Sequence, residues 1–147
     1  MTTMASAKSA LLTQLKAESG LSGIQVTYGD AGGAQRRECV FIGDISSNSV
    51  TPESFTQGRG RQLEDYNIQV FVCVSSKPES VQAAESRAAT LATVVENSVA
   101  DTPNLGGGVT GLFFSEVVAM SMETSEAGAD GPSVVIEMSV RILARLS

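Results

Sequence analysis

The 147-residue chain contains no histidine and no tryptophan. Without histidine the commonest general base is missing. So are the Ser/His and Cys/His nucleophilic arrangements and most zinc sites. Aromatic residues make up only 5% of the chain, so its core has to be assembled from Val, Ile, Leu, Ala and Met. Cysteine is scarce too: Cys39 and Cys73 are too far apart in sequence to follow a metal-ligand pattern. Both fall in strand-like segments, and nothing marks a secreted chain, so buried thiols are expected rather than a disulfide. The opening residues carry Lys8 and an apolar run of only Leu11 and Leu12, short of a secretory signal. No stretch approaches the roughly 20 apolar residues of a membrane span. A basic excess is also lacking. The net charge of −6 favours solubility and argues against broad wrapping of nucleic acid. A reducing cytoplasm is the expected folding environment.

What is present reads as one domain spanning residues 1–147. Leu11, Leu12 and Leu15 share a face of a helix over 4–19, with Gly20 placed to end it. In "GIQVTYGDAGG", Ile24, Val26 and Tyr28 alternate before a glycine-rich turn, and "ECVFIGDI" reads as the return strand of a hairpin. Residues 46–61, "SSNSVTPESFTQGRGR", have no periodicity and read as a mobile loop. In "DYNIQVFVCV", Tyr66, Ile68, Val70, Val72 and Val74 face one way.

A second helix follows over 76–101, with Ser76 as N-cap and Glu79 completing a capping box. Val81, Ala84, Ala88, Leu91, Val95 and Val99 form its apolar stripe. Pro103 and three glycines then break the chain. The remainder reads as one long hairpin. Val134, Ile136, Met138, Val140 and Ile142 line the apolar face of its return arm, and Phe114, Val118, Met120 and Met122 can match them on the outgoing arm. The order is α-β-β-β-α-β-β. The expected class is α+β, an antiparallel sheet with two helices packed on one face and a long C-terminal hairpin.

Chemistry is hard to find in this pattern. "GDAGG" and "NLGGGVTG" are not phosphate loops: no Gly-Lys-Ser/Thr follows, and the second precedes a strand instead of opening a helix. Glu64 and Asp65 are adjacent, so on a strand they point to opposite faces and cannot act as a pair. Glu116 lies among apolar residues, which fits either a buried acid or an edge or interface position where it meets an arginine. No catalytic, metal-binding or cofactor-binding residue is assigned.

Arg36, Arg37, Arg59 and Arg61, four of the ten cations, fall within residues 36–61, whereas nine acids lie from Glu79 to Glu137 with only Arg87 among them. Such polarity suits a head-to-tail ring, in which a basic loop with Arg36, Arg37, Phe55, Arg59 and Arg61 meets the acidic face of the next subunit. A solvated loop is the plain alternative for these arginines.

The opening "LLTQLKAESGLSGIQVTYGD", the strand and helix "EDYNIQVFVCV" and "PESVQAAESRAATLATVVENSV", and the closing "GLFFSEVVAMSMET" and "GADGPSVVIEMSVRILARL" together resemble the small tail-terminator, or tail-completion, proteins of long-tailed bacteriophages. The resemblance covers nearly the whole chain and lies in the pattern of elements. It implies a non-enzymatic structural protein of the virion, assembled in the host cytoplasm. Its expected form is a hexameric ring on the last ring of tail-tube protein that stops tube growth and offers a surface to the head–tail connector protein. DNA would pass through the ring without sequence-specific binding, and neither cofactor nor membrane is implied. The alternatives are a head-closure or neck connector protein and, from a different class, a small α+β ligand-binding or interaction module.

Overall fold

The computed structural model describes residues 2–30, 32, 36–52, 62–75, 80–125 and 131–146. The chain runs through α1 (Met4–Ala17), a 3-10 turn (Ser19–Leu21), β1 (Gln25–Tyr28), β2 (Glu38–Pro52), β3 (Gln62–Ser75), α2 (Val81–Asp101), a second 3-10 turn (Leu105–Gly107), β4 (Leu112–Ser125) and β5 (Ser133–Leu146). The strands form one mixed sheet in the order β1-β2-β3-β5-β4. This is the expected α+β arrangement, with both helices on one face and β4–β5 as the closing hairpin.

The core lies between that face and the helices. Ala7, Leu11 and Leu15 of α1 repeat every four residues and are fully buried. On α2 the buried stripe is Ala84, Ala88, Leu91, Ala92, Val95, Ser98 and Val99. Its small members let the helix lie close on the sheet. Tyr66, Ile68, Val70, Val72 and Val74 of β3 alternate into this layer, as do Val134, Ile136, Met138, Val140 and Ile142 of β5. β3 and β5 pair without interruption from Gln62↔Leu146 to Ser75↔Ser133. The two form an uninterrupted central ladder about 45 Å long at the usual rise per residue.

Five expectations need correction. First, β1 and β2 are parallel neighbours, from Gln25↔Cys39 to Tyr28↔Ile42, and not a hairpin. β1 is only four residues long, so the chain over 29–37 has only about 13 Å to retrace before re-entering in the same direction. The glycines signal a turn there and leave its sense open.

Second, residues 46–52 are strand and not loop. β2 continues to Pro52, paired with β3 as far as Gln62. Residues 46–51 are exposed, so burial left no apolar alternation to read, and backbone pairing alone defines the strand. The rest of the expected loop, 53–61, lies outside the described residues.

Third, the N-cap of α2 is Ser80, whose hydroxyl accepts from the Ala83 N–H at 3.2 Å. Ser76 and Glu79 lie outside the described residues.

Fourth, Gly20 does not cap α1, which ends at Ala17, with the Glu18 N–H bonded to Leu15. Gly20 sits in the 3-10 turn, where a Cβ would come within 2.8 Å of Val94 Cγ2. The close approach of α2 requires glycine there.

Fifth, bulges at Phe113 and Val118 shift the register of β4 against β5. Each inserted residue reverses which side chains face the core. Ser115 and Val117 therefore point to the helix layer where Phe114 was expected, while Met120 and Met122 return to it opposite Met138 and Ile136.

Candidate interaction surface

The residues singled out from sequence fall on opposite margins of the sheet. Arg36 and Arg37 lead into β2 and are exposed. The Arg36 N–H donates to Gln25 Oε1 at 2.8 Å, and the Arg37 carbonyl accepts from the Ser75 N–H at 2.7 Å. Glu116 lies on β4, at the far edge, with its side chain 48% exposed and 3.3 Å from Arg141 Nη1 of the adjacent strand. It is an edge acid meeting an arginine of its own sheet. Phe55, Arg59 and Arg61 lie outside the described residues.

The sheet face turned away from the helices carries a polar belt across four strands. Arg141 on β5 holds Asp65 on β3 through three contacts, Nε to Oδ1 at 3.1 Å and to Oδ2 at 3.2 Å and Nη2 to Oδ2 at 2.7 Å. Glu116 on β4 flanks the arginine on the other side. Asn48 Nδ2, on β2, donates to Asp65 Oδ1 at 2.9 Å and to Asn67 Oδ1 at 3.0 Å. Ser139 donates to Gln69 at 3.1 Å.

The Arg141 guanidinium holds the Asp65 carboxyl below its ordinary value of 3.8. A lowered native pKa stabilises the fold above the unfolded value, and that contribution fades as the pH falls through the native one. Asp65→Asn is therefore expected to flatten the loss of stability below about pH 4, read from urea midpoints between pH 2 and 6. Beyond the belt, Phe41 and Phe71 stack at 4.7 Å, and Cys39 lies opposite Cys73 with both thiols buried.

On the helix side, Glu64 is buried at 2% exposure and works as a structural anchor. Its carboxylate accepts from the Thr2 hydroxyl at 2.8 Å, from the Thr3 backbone N–H at 2.6 Å and from the Thr3 hydroxyl. Thr3 is the N-cap residue of α1, yet its side chain makes no capping bond. A carboxylate from β3 stands at the helix start instead, where unpaired N–H groups and the positive end of the helix dipole favour an anion. The hydroxyl hydrogen of Thr3 goes to Glu64, so the Tyr66 phenol is the donor in its 2.8 Å bond to Thr3 Oγ1. Glu64 and Asp65 thus face opposite sides, as adjacent strand residues must.

Burial pushes the Tyr66 phenol up to about 12, with help from the Glu64 charge. The native state therefore holds the proton more tightly than the unfolded chain, and stability present below pH 10 is lost as the pH rises towards 12. The loss should reach about 2–3 kcal/mol, with a phenolate absorbance step near pH 12. Tyr66→Phe should abolish both.

One shallow pocket of about 330 Å³ gathers Lys8, Asp30, Asp44 and Glu137 beside Phe41 and Phe71. Among the described residues no three His, Cys, Asp or Glu side chains cluster as metal ligands. A cavity of about 800 Å³ is an open groove along α1 lined by Ala5, Ser9, Ala10, Thr13, Gln14 and Leu105 among others. Gln14 donates to Ser98 at its edge.

No protein-family model matches the chain, and no curated protein matches its sequence. Solved structures do match. One is a chain of a structure described as the virion of native gene transfer agent (GTA) particle, with a TM-score of 0.66, over 95% of this chain and 94% of that one. The likeness is one of fold. At 15% identity it shows a shared architecture alone. Sequence reasoning missed Arg141, Thr3 and the role of Glu64, since a lone arginine in a strand and a threonine before a helix carry no pairing signal.

Proposed function

We propose that this chain is a structural virion protein that forms a ring on the end of a phage tail tube, stops its polymerisation and presents a surface to the head–tail connector. The observation that carries the reading is the end-to-end fold match to a chain of a virion particle, which agrees with the element-by-element resemblance to tail terminators. The geometry supports the same role. The fold is a long rigid sheet with a helix-free face, a belt of paired charges and a β2–β3 tip whose β2 side is exposed. On this reading the ring is a hexamer. Arg36, Arg37, Phe55, Arg59 and Arg61 meet a neighbouring subunit or the tube, and Glu116 sits at the opposite subunit margin. The acidic balance of the chain lets DNA slide past without sticking.

Electron microscopy of particles assembled without the protein tests the proposal. Overlong tails are the expected result. Filled heads that leak DNA would transfer the chain to the head-closure role, and normal particles would remove it from the neck altogether.

A further inference from the structure

We propose that successive copies of this chain join edge to edge, β4 of one protomer adding antiparallel to residues 43–52 of β2 in the next, so that one sheet runs from copy to copy. The inference rests on the ring reading and says which segments build the ring.

Both margins of the sheet are open. β4 is an outer strand along all 14 of its residues. On the other margin β1 covers β2 only opposite residues 39–42, and among the described residues no strand pairs with that side of 43–52. Long unpaired strand edges template pairing with another chain unless they are blunted. Both edges carry bulges and β2 ends at Pro52, but the middle of β4 has no charge to guard it. Residues 117–122 of β4, VVAMSM, contain no charge.

Apolar exposure follows the same two margins. Among the described residues the exposed large hydrophobics are Tyr28, Val50, Phe113, Val118, Met120, Met122 and Val135. Val135 alone among them belongs to an inner strand. Within the chain Tyr28 and Phe113 meet the cations Lys8 and Arg145, at 4.3 Å and 5.1 Å from the ring centroids. In an edge-to-edge assembly the same distribution places the apolar side chains at the seam.

The strand directions select a second copy in the same orientation. β2 is antiparallel to β3, β3 to β5 and β5 to β4, so β4 runs opposite to β2. A like-oriented neighbour therefore offers its β2 in the antiparallel sense, the slightly more stable pairing. Such a contact is heterologous, and heterologous contacts close into rings when the rotation per copy allows. Curvature is already supplied. Bulges interrupt β2 at residues 43–44 and 48 and β4 at 113 and 118, and bulges coil and curve a sheet. Charge does not choose between partners: β4 carries Glu116 and Glu123 and residues 43–52 carry Asp44, with no cation on either, while Lys8, Arg36 and Arg37 stand beside Asp30 and Glu38 outside that segment. A two-fold pairing of β4 with β4 would leave β2 uncovered.

The test adds single cysteines to the full chain, V50C on β2 and M120C on β4, and treats them with a short bis-maleimide. The parent chain, with Cys39 and Cys73 buried, is the control. Mixing V50C with M120C is expected to yield a covalent dimer that neither forms alone, and the double variant should yield a ladder of higher oligomers. Self-linking of M120C would overturn the proposal in favour of the two-fold arrangement. No linking at a concentration where mass measurement finds oligomers would overturn the edge pairing and leave the ring reading standing. A chain that stays monomeric at every concentration, with and without tail-tube protein, would end both.

The charge-blocking variant V118K/M120K provides a second arm. It is expected to raise the concentration for half-assembly at least about tenfold, with an unchanged thermal melt. Unchanged assembly would count against the proposal, and if this variant unfolds the cysteine pair decides alone.

Discussion

Glu64→Ala is expected to cost about 3 kcal/mol and to lower the melting temperature by roughly 10 °C in a chain of this length. The carboxylate takes three hydrogen bonds from Thr2 and Thr3, and bonds to a charged acceptor are the stronger kind. Removing it strands the Thr3 N–H and hydroxyl in a place that water does not reach: Thr3 is 7% exposed and Tyr66 fully buried. The cost is the desolvation of those orphaned groups more than the loss of the carboxylate itself. Glu64→Gln keeps an acceptor and most of the volume, so its cost should be smaller, about 1–2 kcal/mol. Urea unfolding of Glu64→Ala, Thr3→Val and the double variant closes a mutant cycle, and the two costs should be clearly less than additive. Additive costs would mean that β3 does not hold the start of α1 through this contact.

Gly111→Ala is the other large effect, about 2–4 kcal/mol. Gly111 turns the chain into β4 at φ +88°, and a Cβ there would lie 2.6 Å from the Arg145 carbonyl oxygen. An alanine at positive φ is strained by itself. The neighbour it strikes is backbone, so relief requires moving β4 away from β5. That movement stretches the 2.7 Å bond from the Arg145 N–H to the Gly111 carbonyl. Gly108→Ala is the control: Gly108 has φ −82° and open space around its Cβ position, so its cost should stay within about 0.5 kcal/mol. Equal melts for the two variants would overturn the assignment. Because Gly111 sets the root of β4, its substitution should also weaken the proposed seam between copies, whereas Glu64→Ala, on β3 and separated from β4 by β5, acts on the start of α1 and should lower stability without altering the β4 edge.

Which features could be read beforehand follows from how they leave a mark in the sequence. Residues such as Leu11 and Leu15, or Val134 through Ile142 at every second position, write their burial into a period of 3.6 or 2. The helices, the inner strands and the core were legible for that reason. Residues 46–52 belong to a strand with no buried face, so no period marked them. The bulge at Val118 adds one residue and inverts the pattern after it, which a uniform alternation through β4 cannot anticipate. Of the candidate site residues, Glu116 could be placed near an arginine, but Arg141 as its partner, and Asp65 as the third member, depended on strand register.

The sequence by itself determined the class, the order α-β-β-β-α-β-β and the closing hairpin, because each of these rests on local periodicity and on the turn between adjacent segments. Only the tertiary structure decided that β1 runs parallel to β2, that Glu64 sits against the start of α1 from 61 residues away, and that β4 and the far half of β2 are the margins left open. Those outcomes depend on which strands become neighbours and on hydrogen bonds between distant residues, and neither leaves a repeating trace along the chain.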